Sequence, residues 1–337
     1  MKTETPGRES AASSVSVAMC TYNGARFLQL QLESVAAQSR QPDELVVCDD
    51  GSKDETLRLL QVFSERAKFP VRIFESAGPR LGSTKNFERA IGLCEGEFIC
   101  LADQDDIWEP QKLALLCSAL ETHAEAGYVF SDARLIAEHG APLGKNLWEA
   151  VGFREPALSN FSKTNQVAAL LHRASATGAT MAFRSSLRKV LLPISLHFVQ
   201  DYWISLLASC VGWRGIPVAE PLIQYRQHAG QQIGALRMTI LQKVKWARQL
   251  GPAEYSRRIQ GFQDLRERLL LAAAEGWVCS ADDTALIEEK IRHCSQRAVA
   301  HSARGATRVS NVISEVMTGR YGRFSNSWRS VVEDLCF

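Results

Sequence analysis

No window of this 337-residue chain approaches the roughly 18 consecutive apolar residues of a membrane-spanning helix, so the sequence predicts no transmembrane segment. Residues 1–14 are polar, lack the apolar centre of a signal peptide and read as a disordered leader. The nine cysteines (Cys20, Cys48, Cys94, Cys100, Cys117, Cys210, Cys279, Cys294 and Cys336) form no CxxC pair and sit mostly in apolar runs. They predict buried thiols in a reducing compartment and hence a cytoplasmic location, with attachment to the inner face of the cell membrane left open. A strong charge of either sign is also missing: the net value of +2 argues against wholesale nucleic-acid binding. The first strand and its turn, Ser16 to Gly24, contain no GxGxxG, so the phosphate-binding turn of a nucleotide-dependent dehydrogenase is absent. No internal repeat is visible. What remains, 46% hydrophobic and 23% charged residues, can bury a sizeable core as one large domain plus an appendage. The basic part is the tail, with sixteen Lys/Arg against eleven Asp/Glu from Gln231 onward.

Carboxylates gather in two places. The apolar run Phe98-Ile99-Cys100-Leu101-Ala102 empties into Asp103, Asp105 and Asp106 within four residues. Like charges so close raise one another's pKa unless a cation sits among them. Oxygen ligands with no nearby His or Cys favour a hard ion such as Mg²⁺ or Mn²⁺; the alternative is a solvated acidic turn in which Asp106 caps the following helix. The segment Leu45-Val46-Val47-Cys48 repeats the design with Asp49-Asp50-Gly51-Ser52, and Val15 to Met19 ends in Thr21-Tyr22-Asn23-Gly24. Ligands of open α/β sheets bind beyond the carboxyl ends of the strands, so the three clusters are expected to meet in one crevice.

Alternating periodicities predict strands near Val15–Met19, Glu44–Cys48, Val71–Glu75 and Glu97–Leu101, and helices near Arg26–Ala37, Glu55–Ala67, Lys85–Cys94 and Gln111–His123. Tyr128–Asp132 reads as one more short strand. From Ala133 to Lys163 the pattern loosens, as in a loop over the crevice. Order returns with a strand over Ala176–Phe183, a helix over Gln200–Val211 and strand signals near Gly215–Val218 and Leu222–Arg226. Beyond Gly234 the remainder reads as helical.

Thr21-Tyr22-Asn23-Gly24, Asp49-Asp50-Gly51-Ser52, Asp103-Gln104-Asp105-Asp106, Gln200-Asp201-Tyr202-Trp203 and Tyr225-Arg226-Gln227-His228 together resemble the family 2 glycosyltransferases, in order and spacing, over about residues 15–235. The resemblance implies the α/β GT-A fold, a mixed, mainly parallel sheet flanked by helices, as a catalytic domain over 15–234 with a helical C-terminal region over 235–337. It further implies a nucleotide-diphosphate-sugar donor, a divalent Mg²⁺ or Mn²⁺, and inverting transfer to a hydroxyl. By residue, Thr21, Tyr22 and Asn23 match the turn against the nucleotide, where Tyr22 either stacks on the base or closes the sheet edge. Asp50 matches the acceptor of the base imide N–H, and Asp49 a ribose or structural contact. Lys85 and Asn86 match a basic-Asn pair, with Lys85 either near phosphate or ribose or in solvent. Asp103 and Asp105 match the metal-binding aspartates. Arg226 and His228 match a loop near diphosphate and metal, although Gln231 and Gln232 stand where relatives often carry Asn. Asp201 matches the catalytic base, against the plainer reading of a helix N-cap, and placement at a helix start is expected to lower its pKa.

The acceptor side is assigned to Trp203, Gly178 and the Leu147–Glu149 region, with ordinary core as the alternative. The wording of the motifs resembles the bacterial rhamnosyltransferase branch and makers of surface polysaccharide such as O-antigen, implying dTDP-rhamnose or a UDP-sugar as donor and a glycan or lipid-linked acceptor. The basic, apolar stretch Met238–Arg248 suits an anionic membrane surface, or packing on its own domain or a second subunit. A non-catalytic carbohydrate-binding or assembly protein of the same fold is the alternative function.

Overall fold

Strands β1 (Val15–Thr21), β2 (Glu44–Asp49) and β4 (Phe98–Ala102) are buried along nearly their whole length, as expected of strands covered on both faces by crossover helices. The computed structural model describes residues 13–228 and 252–336; the stretch Met238–Arg248, Gln231, Gln232 and most of the leader lie outside the described residues. β1 pairs in parallel with β2 and β4, and β2 with β3 (Val71–Glu75). Helices α1 (Ala25–Ala36), α2 (Thr56–Arg66) and α3 (Ser83–Leu93) make the returns. In α1, Leu28, Leu32 and Val35 recur at the spacing of one face, and each is buried.

Beyond β4 come the two-residue β5 (Ile107–Trp108), α4 (Lys112–Thr122), β6 (Ala126–Ala137), β7 (Pro142–Asn146), α5 (Leu147–Val151), α6 (Ala157–Lys163), α7 (Gln166–His172), β8 (Met181–Arg184), α8 (Arg188–Leu191), α9 (Gln200–Cys210) and β9 (Arg214–Gln227). The sheet runs β3-β2-β1-β4-β8-β6-β9-β5, with β7 on β6. β8 is antiparallel to both β4 and β6, and β9 runs parallel to β6.

Two expectations are corrected. Residues 133–163 are not a loose loop: β6 continues to Ala137, and β7, α5 and α6 follow, punctuated by the left-handed glycines Gly140, Gly144 and Gly152. These elements are too short to show a period. The strand expected over Ala176–Phe183 begins only at Met181, because Gly178–Thr180 closes a 3₁₀ turn, with both the amide and the hydroxyl of Thr180 donating to the Thr177 carbonyl.

The C-terminal helices α10 (Pro252–Ala274), α11 (Ala281–Ser302), α12 (Gly305–Met317), α13 (Arg320–Phe324) and α14 (Trp328–Cys336) follow. Phe262, Leu265, Leu269, Ile287 and Ile291 belong to the same continuous core as the sheet. The Phe198 and Phe262 rings meet at 5.2 Å, and Lys290 Nζ donates to the Leu171 and Phe324 carbonyls at 2.8 Å each. Six of the nine cysteines, none disulfide-bonded, are buried. Among the described residues no helix is long and apolar enough to cross a membrane.

Candidate active site

Parallel register sets Thr21 opposite Asp49 and Met19 opposite Ala102, so the turns leaving β1, β2 and β4 emerge side by side. They line one cleft with Thr21, Tyr22, Asp50, Asp103 and Asp105, joined by Asp201 at the start of α9 and by His228 after β9.

Asp49 is fully buried and holds its own turn together. Its Oδ1 accepts the amides of Gly51 and Ser52 at 3.0 and 2.7 Å, and its Oδ2 accepts the hydroxyls of Thr21 and Ser52 at 2.7 and 2.6 Å. Asn23, at φ 46°, ties the two turns: its amide donates to Ser52 Oγ, and its Oδ1 accepts from the Lys53 amide, each at 2.8 Å. Neither residue lines the cleft. Asp50 does, with Oδ1 accepting from the Leu81 amide at 2.7 Å and Oδ2 from the Gly82 amide at 2.9 Å. A carboxylate has about four acceptor positions, so these two amides do not exhaust it. Asn86 also lines the cleft and donates to the Cys48 carbonyl at 2.7 Å.

Of the cleft residues to which the sequence reading gave no role, two hold the nucleotide-side turns. Arg80 lies 3.6 Å over the Tyr22 ring and 3.5 Å from Asp50 Oδ2, yet its loop carries no motif that signals this. Gln104 stands inside the acidic motif, where its neighbours drew the attention. Its Oε1 accepts from the Tyr22 amide at 2.9 Å and its Nε2 donates to the Tyr22 carbonyl at 3.2 Å, which staples the β1 turn to the β4 turn. Gly24 makes room: a Cβ there would stand 2.2 Å from Gln104 Oε1.

Burial, with Asp105 and Asp201 nearby, pushes the Asp103 carboxyl up to about 7. Asp105 Oδ2 lies 2.8 Å from His228 Nε2. Asp106 does not cap a helix; it is fully buried, raised well above the usual carboxylate range by burial, and accepts from the Arg226 amide at 3.0 Å. Among the described residues, no three His, Cys, Asp or Glu side chains converge on one cation position. The donor chemistry nonetheless fits a hard divalent ion: Asp103 and Asp105 are oxygen ligands whose mutual repulsion such an ion relieves. Mg²⁺ characteristically takes one or two protein carboxylates and completes its shell with substrate phosphates and water.

Asp201 lies in the first turn of α9 and is not its N-cap, which is Val199. Its Oδ2 accepts from the Gly178 amide at 2.7 Å and its Oδ1 from the Tyr202 amide at 2.6 Å. The lowered pKa expected at a helix start is corrected: burial outweighs these N–H groups and raises it.

Besides Asp49 and Asn23, three assigned residues lie outside the cleft. Lys85 Nζ is held by Glu88 at 2.7 Å and the Ile194 carbonyl at 2.9 Å. Trp203 is a core residue whose Nε1 donates to the Leu191 carbonyl at 2.7 Å. Arg226 is buried behind the acidic turn, donating to the Asp105 and Glu138 carbonyls at 2.8 and 2.9 Å. Gly178 reaches the cleft through its backbone. Trp148 packs in a buried cluster with Phe130 and Phe153.

Residues 16–191, more than half of the chain, match the model of Glycosyl transferase family 2. The dTDP-rhamnosyl transferase RfbG of Shigella flexneri is 35% identical over 98 residues, 28% of this chain and 34% of that one. The first curated relatives are likewise matched over only 34% to 37% of their own length. S. aureus TarS in complex with UDP-GlcNAc superposes with a TM-score of 0.58 at 17% identity, covering 83% of this chain and 72% of that one. The mannosyltransferase PcManGT of Pyrobaculum calidifontis, in complex with GDP-Man and Mn²⁺, gives 0.52 at 16% identity, covering 96% and 85%. The two structures share the GT-A fold of this molecule, and by the family match the chain belongs to glycosyl transferase family 2.

Proposed function

We propose that the chain is an inverting glycosyltransferase that moves a sugar from a nucleotide-diphosphate donor to a hydroxyl of a glycan or lipid-linked acceptor. One observation carries the reading: carboxylates from three distant segments, Asp50, Asp103 with Asp105, and Asp201, line a single cleft. Tyr22 and Asp50 offer an aromatic face and a carboxylate to the base of the nucleotide. Asp103 and Asp105, with His228 beside them, are the residues to hold Mg²⁺ or Mn²⁺. A bound ion supplies neutralisation of the charge that builds on the departing diphosphate. Asp201 takes the proton of the acceptor hydroxyl while that oxygen bonds to the anomeric carbon and the bond to the diphosphate breaks on the opposite face. A carboxyl whose pKa stands above its usual range is a better match to a hydroxyl proton than an ordinary one.

The likeness to RfbG favours dTDP-rhamnose as the first donor to try, with UDP-sugars next and bacterial surface polysaccharide such as O-antigen as the product class. A cytoplasmic site of action, at the inner membrane face if the acceptor is lipid-linked, suits the unbridged thiols. Incubation with dTDP-, UDP- and GDP-sugars should release nucleoside diphosphate from one of them in Mn²⁺ and not in chelator. Absence of release from every donor, with no nucleotide bound in calorimetry, rejects the reading.

A further inference from the structure

Lys112 opens α4 fully buried and does not line the cleft. Its Nζ donates to the Ala179 carbonyl at 2.7 Å and lies 3.5 Å from the centroid of the Trp108 ring, with Cys100 as a further neighbour. Burying an ammonium is costly unless its charge and its donors are used. Here the carboxylates of Asp106 and Asp103 oppose the loss of its charge, although burial still brings its pKa down to about 8. Ala179 is the middle residue of the 3₁₀ turn Gly178–Thr180, whose first residue donates its amide to Asp201 Oδ2. One buried cation therefore grips the turn that grips the carboxylate.

We infer that Lys112 is a positioning residue for sugar transfer, acting through the Ala179 carbonyl to hold the 178–180 turn and, through the Gly178 amide, to aim Asp201. The inference rests on the reading of Asp201 as the base. A methionine of similar length fills the slot but leaves the Ala179 carbonyl without its donor, so the turn loses its anchor while the apolar packing stays.

Two variants test this. Lys112→Met removes the anchor, and Gly178→Pro removes the N–H that Asp201 accepts. Thr177, extended at φ −110° and ψ 133°, accepts a following proline, and a Cβ on residue 178 meets nothing closer than 3.5 Å, but the ring Cδ stands where the hydrogen bonded to Asp201 Oδ2 stood and pushes that carboxylate aside. In Lys112→Met the Gly178 amide should exchange with solvent at least about tenfold faster. Turnover should fall about a hundredfold with the donor KM nearly unchanged, as for a displaced catalytic group. Gly178→Pro should lose at least as much, and the double variant should be no slower than the slower single one, since both act on one contact. Wild-type protection of the Gly178 amide in Lys112→Met, equal falls in donor affinity and turnover, or additive losses in the double variant each overturn the inference. If the wild-type protein turns over no nucleotide sugar, the transferase reading fails instead, and Gly178 exchange still decides whether Lys112 anchors the turn.

Discussion

Asp201 accepts one backbone N–H on each carboxylate oxygen, which fixes its plane, while burial raises its pKa. In its proposed role as base Asp201 must be ionised to act, so turnover should decline as pH falls through a midpoint above the ordinary carboxylate range, read directly in a profile of kcat against pH. Asp201→Asn keeps the shape and removes the proton acceptor; kcat should drop by about 10²- to 10⁴-fold with nucleotide affinity retained. Unchanged turnover would transfer the role to another group. The Gln104 staple makes a separate claim on affinity. Gln104→Ala deletes both bonds to the Tyr22 backbone, and Gly24→Ala drives a methyl into the same amide. Each should weaken nucleotide binding in calorimetry, because the nucleotide must then order the Tyr22 turn itself, at about 1–2 kcal/mol per residue fixed. The two losses should not add, because they break one contact.

The N-terminal half of the sheet was legible because its signals are local. β1, β2 and β4 are apolar runs bounded by Gly and Asp turns, and β3 has the same ends in the structure as in the sequence reading. From β6 onward long-range pairing decides. β6 runs twelve residues, over twice the expected strand, because β9, β8 and β7 all pair along it. The site divides in the same way. The acidic turns announce themselves, whereas the inward burial of Trp203 and Lys85's engagement with the Ile194 carbonyl depend on segments far along the chain. Asp132 is another such case: a strand residue that accepts from the Ala133 and Trp148 amides and from Asn146 Nδ2, joining β6, β7 and α5. Asp132→Ala strands those buried donors and should cost about 1–3 kcal/mol in urea unfolding, whereas Glu138→Ala, on an exposed pair with Arg26, should cost under about 1 kcal/mol.

At the scale of the molecule, the last helices are joined to one another by buried charge as well as by apolar packing. Asp334 on α14 is fully buried and takes both Arg297 Nε and Nη2 at 2.6 Å, the His301 ring at 2.8 Å and the Tyr321 hydroxyl at 2.5 Å. α11, α13 and α14 therefore meet at one carboxylate. Despite burial, these donors hold its pKa down to about 2. A carboxyl held below its unfolded value near 4 stabilises the fold fully above that value and loses the contribution as pH falls through the folded pKa. The difference between that value and about 2 corresponds to about 2–3 kcal/mol. Unfolding free energy should thus decline between about pH 4 and pH 2 by that amount from this group alone. Asp334→Asn keeps the volume but leaves the Arg297 guanidinium buried without its counter-charge; stability near neutral pH should fall by about 3–5 kcal/mol. In that variant the acid-dependent decline should flatten by the missing share. Because α10 and α11 share the sheet's core through Phe262, Leu265 and Ile287, the loss should appear as one cooperative transition for the whole chain. A separate early melt of the C-terminal helices, seen by far-ultraviolet circular dichroism while nucleotide binding persists, would show instead that the network stabilises only its own helices.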